Sequence, residues 1–402
     1  MSADYGHIVE DYVRDIASNI GVADFVFRPA TVAKGPSTRE IGDGLLWVGH
    51  QMAIVSVKSR EPRLTPDTPA RRDSWLTKNI AKAVVQINGS YRHLTNATDL
   101  SLTSERGVSI PWKRELVDQF TGVVIVDHED PWNYVPNTGK AAIPTVVLAL
   151  GDWLTLHQRF PSTAAIVRYL QWRARNGLPN LPLAAEKDIL ASHHIAEEDL
   201  ERGTPFEVRK GAWEQTWRDR PEIFFGTRPD HKYGLVVDNM IAGASDLDPD
   251  YSALNTPSDY LGVIEFLDRI ALLPRIEFGK GVLKKCREAG DSGELTRMIS
   301  VLPQGVIVFV ADPAERSSRS RYLQSLTAAR HSQIVEATGI TDLTTLGIAT
   351  EPIPTPGRSH DFVLIRATFH FTADEKIQRD ELFGPLPPEL PQLLLSRYEG
   401  YV

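Results

Sequence analysis

The sequence of 402 residues contains a single cysteine, Cys286, and this scarcity excludes two kinds of site. One thiol cannot form an intrachain disulfide, and it cannot supply the several thiolates of a cysteine-rich zinc site. A chain without disulfides is typical of a reducing compartment. We therefore expect a cytoplasmic protein.

Long apolar runs are also lacking. The apolar stretch 142–150 is followed closely by Asp152 and falls well short of the roughly 20 residues that a membrane-spanning helix needs. The N-terminus carries acids from Asp4 onward and has no apolar centre, so neither a signal peptide nor a membrane span is expected. No repeat at a fixed period occurs, which excludes a solenoid. Phosphate-loop, dinucleotide-binding and nucleophile-elbow motifs are missing as well, so the sequence gives no support to those enzyme classes.

The charge balance is acidic, with 44 lysines and arginines against 52 aspartates and glutamates and a formal net charge of −8. This balance disfavours indiscriminate coating of nucleic acid, which depends on many phosphate contacts. A nucleic-acid enzyme needs only a local basic surface and is not excluded. The length predicts two domains, and a change of pattern near residues 201–205 places them at 1–203 and 204–402.

Hydrophobic periodicity predicts the elements of the first half. We expect a helix over 5–20, a strand over 25–27, a β-hairpin from 39–49 and 53–59, a helix from 73 or 74 to 94, strands over 122–126 and 145–150, and helices over 153–159 and 163–175. The first helix has one predicted apolar stripe, formed by Ile8, Val9, Tyr12, Val13, Ile16 and Ile20. The order α-β-β-β-α-β indicates an α/β fold with a mixed sheet flanked by helices.

The second half is also predicted to be α/β, but of unknown type. Its pattern indicates helices over 258–272, 280–288 and 314–337, strands over 305–310, 345–348 and 361–371, and a short terminal helix. It contains no catalytic motif, so we regard it as an accessory domain.

The predicted hairpin carries the strongest functional signal. Asp43 opens its first apolar run and Lys58 closes its second. In a hairpin these residues lie at the same end of two adjacent strands, so the sequence places a carboxylate beside an ammonium on rigid structure. Such an arrangement suits a metal-dependent phosphodiesterase.

Three short motifs carry a family resemblance: Gly6-His7-Ile8-Val9-Glu10, Glu40-Ile41-Gly42-Asp43 and Ile54-Val55-Ser56-Val57-Lys58. In this order they resemble the PD-(D/E)XK nuclease superfamily, which has the restriction-endonuclease-like fold, and its Mrr-like branch in particular. The resemblance covers about residues 1–175. It implies hydrolysis of phosphodiester bonds with Mg²⁺ or Mn²⁺. DNA is the implied partner, RNA is not excluded, and prokaryotic defence is the implied setting by analogy.

The resemblance also implies roles for individual residues. Asp43 would hold the metal, helped by Glu10 or Glu40, and Lys58 would orient the attacking water or stabilise charge on the phosphoryl oxygens. Gln86 of the following helix would bind that water or a phosphate. Basic side chains in and after the proline-rich loop would hold the nucleic-acid backbone: Arg60, Arg63, Arg71, Arg72, Lys78 and Lys82.

Ser56 departs from the family pattern, because this catalytic position usually carries a second metal-binding carboxylate, or a glutamine in some branches. A hydroxyl is an uncharged, weak ligand. Mg²⁺ needs only one or two carboxylates when substrate phosphate also binds it, so activity remains compatible with the sequence. The alternative is a catalytically degenerate nucleic-acid-binding or assembly subunit that keeps the fold. A second copy of the chain, or a partner subunit, supplying the missing carboxylate is a further alternative.

Each residue also has a purely structural interpretation. Asp43 is typical of a turn, and Lys58 of an edge strand protected against pairing. Glu10 and the lysines of the second helix are compatible with solvated helix faces. Two weaker candidates are the run 127–130, which resembles a metal-ligand cluster at a strand end, and the arginine-rich helix start 316–321, which is compatible with phosphate binding or with a solvated helix start.

Overall fold

The structure is a computed structural model that describes residues 2–34, 37–62, 67–129, 131, 133–160, 162–176, 181–183, 185–199, 211–219, 229–244, 257–352, 360–367 and 369–398. The chain divides into two compact units, Met1–Thr227 and Arg228–Val402. The boundary predicted near residues 201–205 lies outside the described residues.

The first unit alternates helices and strands. Its helices are α1 (Ser2–Ile20), α2 (Pro69–Asn96), α3 (Leu150–Arg159), α4 (Thr163–Arg175), α5 (Glu186–Asp199) and α6 (Ala212–Asp219). Its strands are β1 (Val26–Phe27), β2 (Ala30–Lys34), β3 (Ser37–Ile41), β4 (Gly44–Val48), β5 (Gln51–Ser59), β6 (Ser101–Thr103), β7 (Ser109–Pro111), β8 (Gln119–Asp127) and β9 (Thr145–Ala149).

A five-stranded mixed sheet organises this unit, with the strand order β1-β4-β5-β8-β9. The pairs β1–β4 and β4–β5 are antiparallel, whereas β5–β8 and β8–β9 are parallel. The β4–β5 hairpin turns through Gly49 and His50, between paired Val48 and Gln51. Helix α2 makes the crossover from β5 to β8, as a parallel pair requires. The predicted mixed α/β sheet flanked by helices is confirmed.

Helix α2 packs on the sheet through one apolar face. Its buried side chains recur at helical spacing and include Leu76, Ile80, Ala83, Val84 and Ile87. The strand β8 beneath is buried from Phe120 to Val126, as expected for a strand covered on both faces. Truncating a fully buried aliphatic side chain of this kind typically costs ~2–5 kcal/mol.

The apolar stripe predicted for α1 is only partly correct. Val9, Val13 and Ile16 are buried, but Ile8, Tyr12 and Ile20 are 57%, 47% and 44% exposed. Val9, Val13 and Ile16 recur at intervals of three and four, so they lie along one face of the helix. The buried face of α1 therefore excludes Ile8 and Tyr12.

The second unit contains a four-stranded sheet with the order β10-β11-β12-β13. The strands are β10 (Thr296–Leu302), β11 (Gly305–Ala311), β12 (Thr345–Thr350) and β13 (His360–Ile365). The helices are α7 (Leu235–Ala244), α8 (Pro257–Asp268), α9 (Leu272–Ser292), α10 (Arg316–Thr338), α11 (Ala373–Phe383) and α12 (Leu390–Tyr398). The parallel pair β11–β12 is joined by α10, and the two outer pairs are antiparallel.

The start of α10 does not form a free cationic surface. Arg316 donates to Asp361 of β13 at 2.8 Å, and the fully buried Arg319 pairs with the same carboxylate at 3.3 Å. These contacts tie the helix to the sheet, so the phosphate-binding interpretation of residues 316–321 loses its two best-placed arginines.

None of the described helices combines the length and the apolarity that crossing a bilayer requires.

The buried His157 of α3 predicts a pH dependence for the first unit. Its ring lies 4.3 Å from that of Trp153, and its Nδ1 lies 3.0 Å from the Trp153 carbonyl oxygen. Burial lowers the pKa of His157 from 6.5 to about 4. The unfolded chain thus binds this proton at higher pH than the folded chain, so stability is full above pH 6.5 and falls as the pH drops toward 4.

We expect His157→Gln to flatten the pH dependence of unfolding between pH 6.5 and 4, by up to about 3 kcal/mol at the acidic end. The glutamine amide can donate to the Trp153 carbonyl oxygen but carries no charge. The measurement is urea unfolding of the full chain, following the transition of the first unit. His50→Gln, at an exposed site, is the matched control and should keep the wild-type slope. Equal slopes in both variants would show that His157 does not control this acid sensitivity.

Candidate functional site

The candidate site forms just before β4 begins, where one edge of β5 has no strand partner. The last β4–β5 pair is Gly44 with Val55, and Asp43 N donates to Val55 O at 2.9 Å. Two residues further along β5, Val57 N donates to Asp43 Oδ2 at 2.6 Å. The carboxylate of Asp43 therefore continues the hydrogen bonding of the sheet after the backbone has turned away.

Gly42 allows this turn. Its φ of +70° lies in the left-handed region, which residues with a Cβ rarely adopt. A Cβ at this position would also lie 3.2 Å from the carbonyl oxygens of Gly44 and Val55. Gly42-Asp43-Gly44 therefore forms a turn, as the structural interpretation of Asp43 predicts. The same turn directs the Asp43 carboxylate toward β5.

Lys58 lies beside Asp43, as the hairpin predicted. Its Nζ is 3.8 Å from Asp43 Oδ2 and donates to Val57 O at 2.7 Å, Ser56 Oγ at 3.2 Å and Gln86 Oε1 at 3.0 Å. The side chain of Lys58 is 18% exposed and that of Asp43 is 7% exposed. The pair is therefore shielded from bulk water, which strengthens its electrostatic interaction.

Gln86 connects the sheet to α2. Its Nε2 donates to Asp43 Oδ1 at 2.8 Å, and its Oε1 accepts from Lys58 and, at 3.2 Å, from Ser56 Oγ. An amide is suited to this place because it offers a donor to the acid and an acceptor to the ammonium and hydroxyl. Ser56 is fully buried beneath these contacts.

Glu10 reaches the same cluster from α1. Burial, followed by the negative charge of Asp43, raises the pKa of Glu10, while His7 and Lys58 oppose the rise. His7 Nδ1 lies 3.2 Å from Glu10 Oε2, and the His7 side chain is exposed. Two carboxylates therefore repel each other in a partly dehydrated place, a situation that a bound cation would relieve.

Glu40, the other predicted metal ligand, is placed elsewhere. It lies exposed on β3, paired with Thr31 of β2 in a separate two-stranded sheet. The chain bends at Gly42 between Glu40 and Asp43. Among the contacts of the described residues, none joins Glu40 to the cluster.

The predicted nucleic-acid contacts fall into two groups. Arg60 is paired with Asp67, to which Nη2 donates at 2.9 Å, and its guanidinium lies 5.7 Å from the Trp75 ring. Arg72 pairs with Asp73 at 2.9 Å, so both arginines have internal partners. Arg71, Lys78 and Lys82 are exposed on α2, whereas Arg63 lies outside the described residues.

The acidic run at the end of β8 forms a different cluster. Asp127 accepts from the Tyr5 hydroxyl at 2.8 Å. Burial, then Asp127, Glu61 and Glu129, raises the pKa of Tyr5 to about 12. His128 Nε2 lies 3.5 Å from Asp67 Oδ2, and Asp130 lies outside the described residues. A small recess, partly open to solvent, is lined by Arg60, Glu61, Asp67, His128 and Glu129.

The oxygen donors of the main cluster fit Mg²⁺ in part. Asp43 and Glu10 supply carboxylates, which are hard ligands of the type Mg²⁺ prefers. Gln86 Oε1 is not available as a ligand, because it already accepts from Lys58 and Ser56. Within the described residues, no three histidine, cysteine or acidic side chains form a metal-holding group. Both Asp43 oxygens already accept one hydrogen bond each, and each keeps a further lone pair. The set therefore suits a cation that also takes water and substrate oxygens.

Two residues that the sequence did not single out hold the backbone around Asp43. Arg14 Nη1 donates to Asp43 O at 2.8 Å, and Ser90 Oγ accepts from Gly42 N at 2.9 Å. A usable signal was present, since Arg14 and Ser90 lie four residues after Glu10 and Gln86 on the same helices. Residues at this spacing share a helix face.

Comparisons with protein-family models, with curated proteins and with solved structures gave no match for this chain.

The raised pKa of Glu10 can be tested directly. We expect its carboxyl to titrate above the ordinary glutamate range, and Asp43→Asn to lower its pKa, because removing a negative neighbour favours ionisation. The measurement is ¹³C NMR titration of side-chain-labelled glutamate. Asp11→Asn removes an acid on the same helix that pairs with Arg14 and should leave the Glu10 titration in place. Equal effects of the two substitutions would refute the coupling between Glu10 and Asp43.

Proposed function

We propose that this chain is a divalent-metal-dependent nuclease that hydrolyses phosphodiester bonds in DNA, and that its first unit has the restriction-endonuclease-like fold. One observation carries the proposal: Asp43, Lys58 and Gln86 are in contact where β4 begins beside β5, and the charge of Asp43 acts on Glu10 of α1. These residues come from four separate segments, namely α1, the turn before β4, β5 and α2, so their convergence is not a trivial result of sequence proximity.

The topology supports the fold assignment. In chain order, α1 is followed by β1, β4 and β5, which are antiparallel neighbours, then by the crossover helix α2 and the parallel strand β8. This is the α-β-β-β-α-β order that the hydrophobic periodicity of the sequence predicts. The β2–β3 and β6–β7 hairpins are additions to it.

Asp43 and Glu10 are the residues that would hold Mg²⁺ or Mn²⁺ in this proposal. When bound, the ion supplies a Lewis acid that polarises the phosphate and lowers the pKa of the attacking water. Gln86 holds Asp43 in place through Nε2 and fixes the ammonium of Lys58 through Oε1. The protein thus sets the geometry of the acid and the ammonium before substrate arrives.

Lys58 provides the positive charge for the phosphoryl oxygens. All three of its protons have acceptors, namely Val57 O, Ser56 Oγ and Gln86 Oε1. Binding a phosphate oxygen therefore requires Lys58 to give up one contact. The 3.2 Å contact with Ser56 Oγ is the longest of the three, and that hydroxyl also has Gln86 as a partner.

Lys78 and Lys82 are proposed to hold the nucleic-acid backbone. They lie at intervals of four before Gln86 on α2, so the three side chains share a face of the helix. Both lysines are exposed. The row leads from the cluster toward the N-terminus of α2, and Arg71 lies exposed in the first turn.

The alternative is a catalytically degenerate subunit that binds nucleic acid or assembles with other proteins. Ser56 favours it, because a buried hydroxyl stands at the position where the family places a carboxylate or glutamine. The two functions differ in one property. A nuclease needs Asp43 and Lys58 for cleavage, whereas a binding subunit retains nucleic-acid affinity without either cleavage or a metal requirement.

The first test is cleavage of supercoiled DNA, linear DNA and RNA by the purified chain in Mg²⁺ or Mn²⁺. We expect DNA cleavage that a chelator stops, and a loss of at least about 100-fold in Asp43→Asn and Lys58→Ala. The first variant weakens the hold on the cation, and the second removes the positive charge meant for the phosphoryl oxygens. Asp118→Asn and Lys113→Ala make the same chemical changes at exposed positions and should retain activity. Binding of DNA without cleavage in any of the proteins would support the degenerate subunit instead.

The second test concerns the lysine row. Lys78→Ala and Lys82→Ala should each weaken DNA binding and reduce the slope of log affinity against log salt by about 1, as expected for one lost phosphate contact. Lys113→Ala serves again as the exposed control. Fluorescence anisotropy across a salt series measures the slope. Slopes unchanged from wild type in both row variants would place the DNA on another surface.

A further inference from the structure

The peptide groups on both sides of Asp43 are held by side chains from the two helices that flank the site. On one side, Arg14 of α1 donates through Nη1 to the Asp43 carbonyl oxygen at 2.8 Å. The Arg14 side chain is 17% exposed and is itself fixed, with Nε 3.3 Å from Glu105 and a further contact to Asp11. Arg14 therefore reaches Asp43 with little freedom to move.

On the other side, Ser90 of α2 contacts Gly42. Its Oγ accepts from Gly42 N at 2.9 Å and donates to Gln86 O at 3.0 Å. Ser90 is 1% exposed, so water does not compete for these bonds. One hydroxyl thus links the turn before Asp43 to the helix turn that carries Gln86.

We propose that Arg14 and Ser90 are positioning residues, which fix the Asp43 carboxylate against Val57 N and so set cation binding at this acid. The backbone of Asp43 has only one bond to β5, from its N to Val55 O. Gly42 adds little rigidity of its own, because glycine is conformationally permissive. The two outer hydrogen bonds supply the restraint that the end of the strand lacks.

The cation-binding part of this inference rests on the proposed function, whereas the positioning part does not. Groups that orient a metal ligand typically affect metal affinity 10–100-fold, although they never touch the ion. The 2.6 Å contact between Val57 N and Asp43 Oδ2 reports the position of the carboxylate without any metal. The two consequences can therefore be measured separately.

The experiment compares the full-length wild type with Arg14→Ala, Arg14→Lys and Ser90→Ala. The first readout is the Val57 amide resonance, observed with ¹⁵N-valine labelling and assigned by Val57→Ile. We expect it to move in Arg14→Ala and Ser90→Ala toward its position in Asp43→Ala, with a smaller shift in Arg14→Lys. The second readout is the Mn²⁺ dissociation constant, which should rise about 10-fold or more in both alanine variants.

Two controls share the surroundings of these residues but not the contact with Asp43. Arg28→Ala removes the other arginine bound to Glu105, at 2.9 Å, and Thr95→Val removes another hydroxyl bonded to an α2 carbonyl oxygen. Both should keep the wild-type resonance and dissociation constant. An unmoved Val57 resonance in both alanine variants would overturn the positioning role.

The result also separates this inference from the proposed nuclease function. If wild type does not bind Mn²⁺, the proposed function loses its cation, and the Val57 resonance still decides the positioning role. If Mn²⁺ binds with equal affinity in wild type and both alanine variants, the link to cation binding is refuted. If Arg14→Ala does not fold, Ser90→Ala and Arg14→Lys decide by the same two readouts.

Discussion

The hydrogen bond from Val57 N to Asp43 Oδ2 is the interaction on which the site depends. Val57 is 4% exposed, and β4 no longer offers it a backbone partner. Leaving a buried N–H unsatisfied costs about 1–3 kcal/mol, so an acceptor is needed at this point. The Asp43 carboxylate meets that structural need with one oxygen and remains available for chemistry through its other lone pairs.

Gln86 gives the cluster its internal order. Asp43 and Glu10 carry negative charge and Lys58 carries positive charge, so the ionised cluster has an excess of one negative charge. A neutral amide joins the acid to the ammonium without changing this balance. The ammonium of Lys58 has two side-chain acceptors, the Ser56 hydroxyl on β5 and Gln86 Oε1. Because Gln86 belongs to α2, that helix is part of the site. Ser56 adds no charge to the cluster, and Gln86 of α2 organises the contacts of Lys58.

The sequence predicted those parts of the site that follow from strand and helix periods. The hairpin pattern predicted that Lys58 lies near the end of β5 beside Asp43. The helical period predicted that Gln86 lies about one turn of α2 after Lys82, on the same face. Glu40 was misjudged because residues 39–49 look like one run, whereas the positive φ of Gly42 divides them into β3 and β4. The partner of Arg60 is Asp67, seven residues away in a loop, and no period reveals such a pairing.

In the second unit, strand β10 and helix α11 were not predicted, because their sequence patterns are weak. Strand β10 is largely half-buried and mixes Arg297 and Ser300 with apolar residues, so its pattern is weak. Helix α11 is polar on most sides, and its start is marked only by the capping box of Thr372 and Glu375.

The balance of charge in the main cluster adds one consequence for the proposed function. Two carboxylates offset by an ammonium attract a cation weakly, and a substrate phosphate adds both negative charge and oxygen ligands. Cation and nucleic acid should therefore bind cooperatively, each supplying what the other lacks at this site.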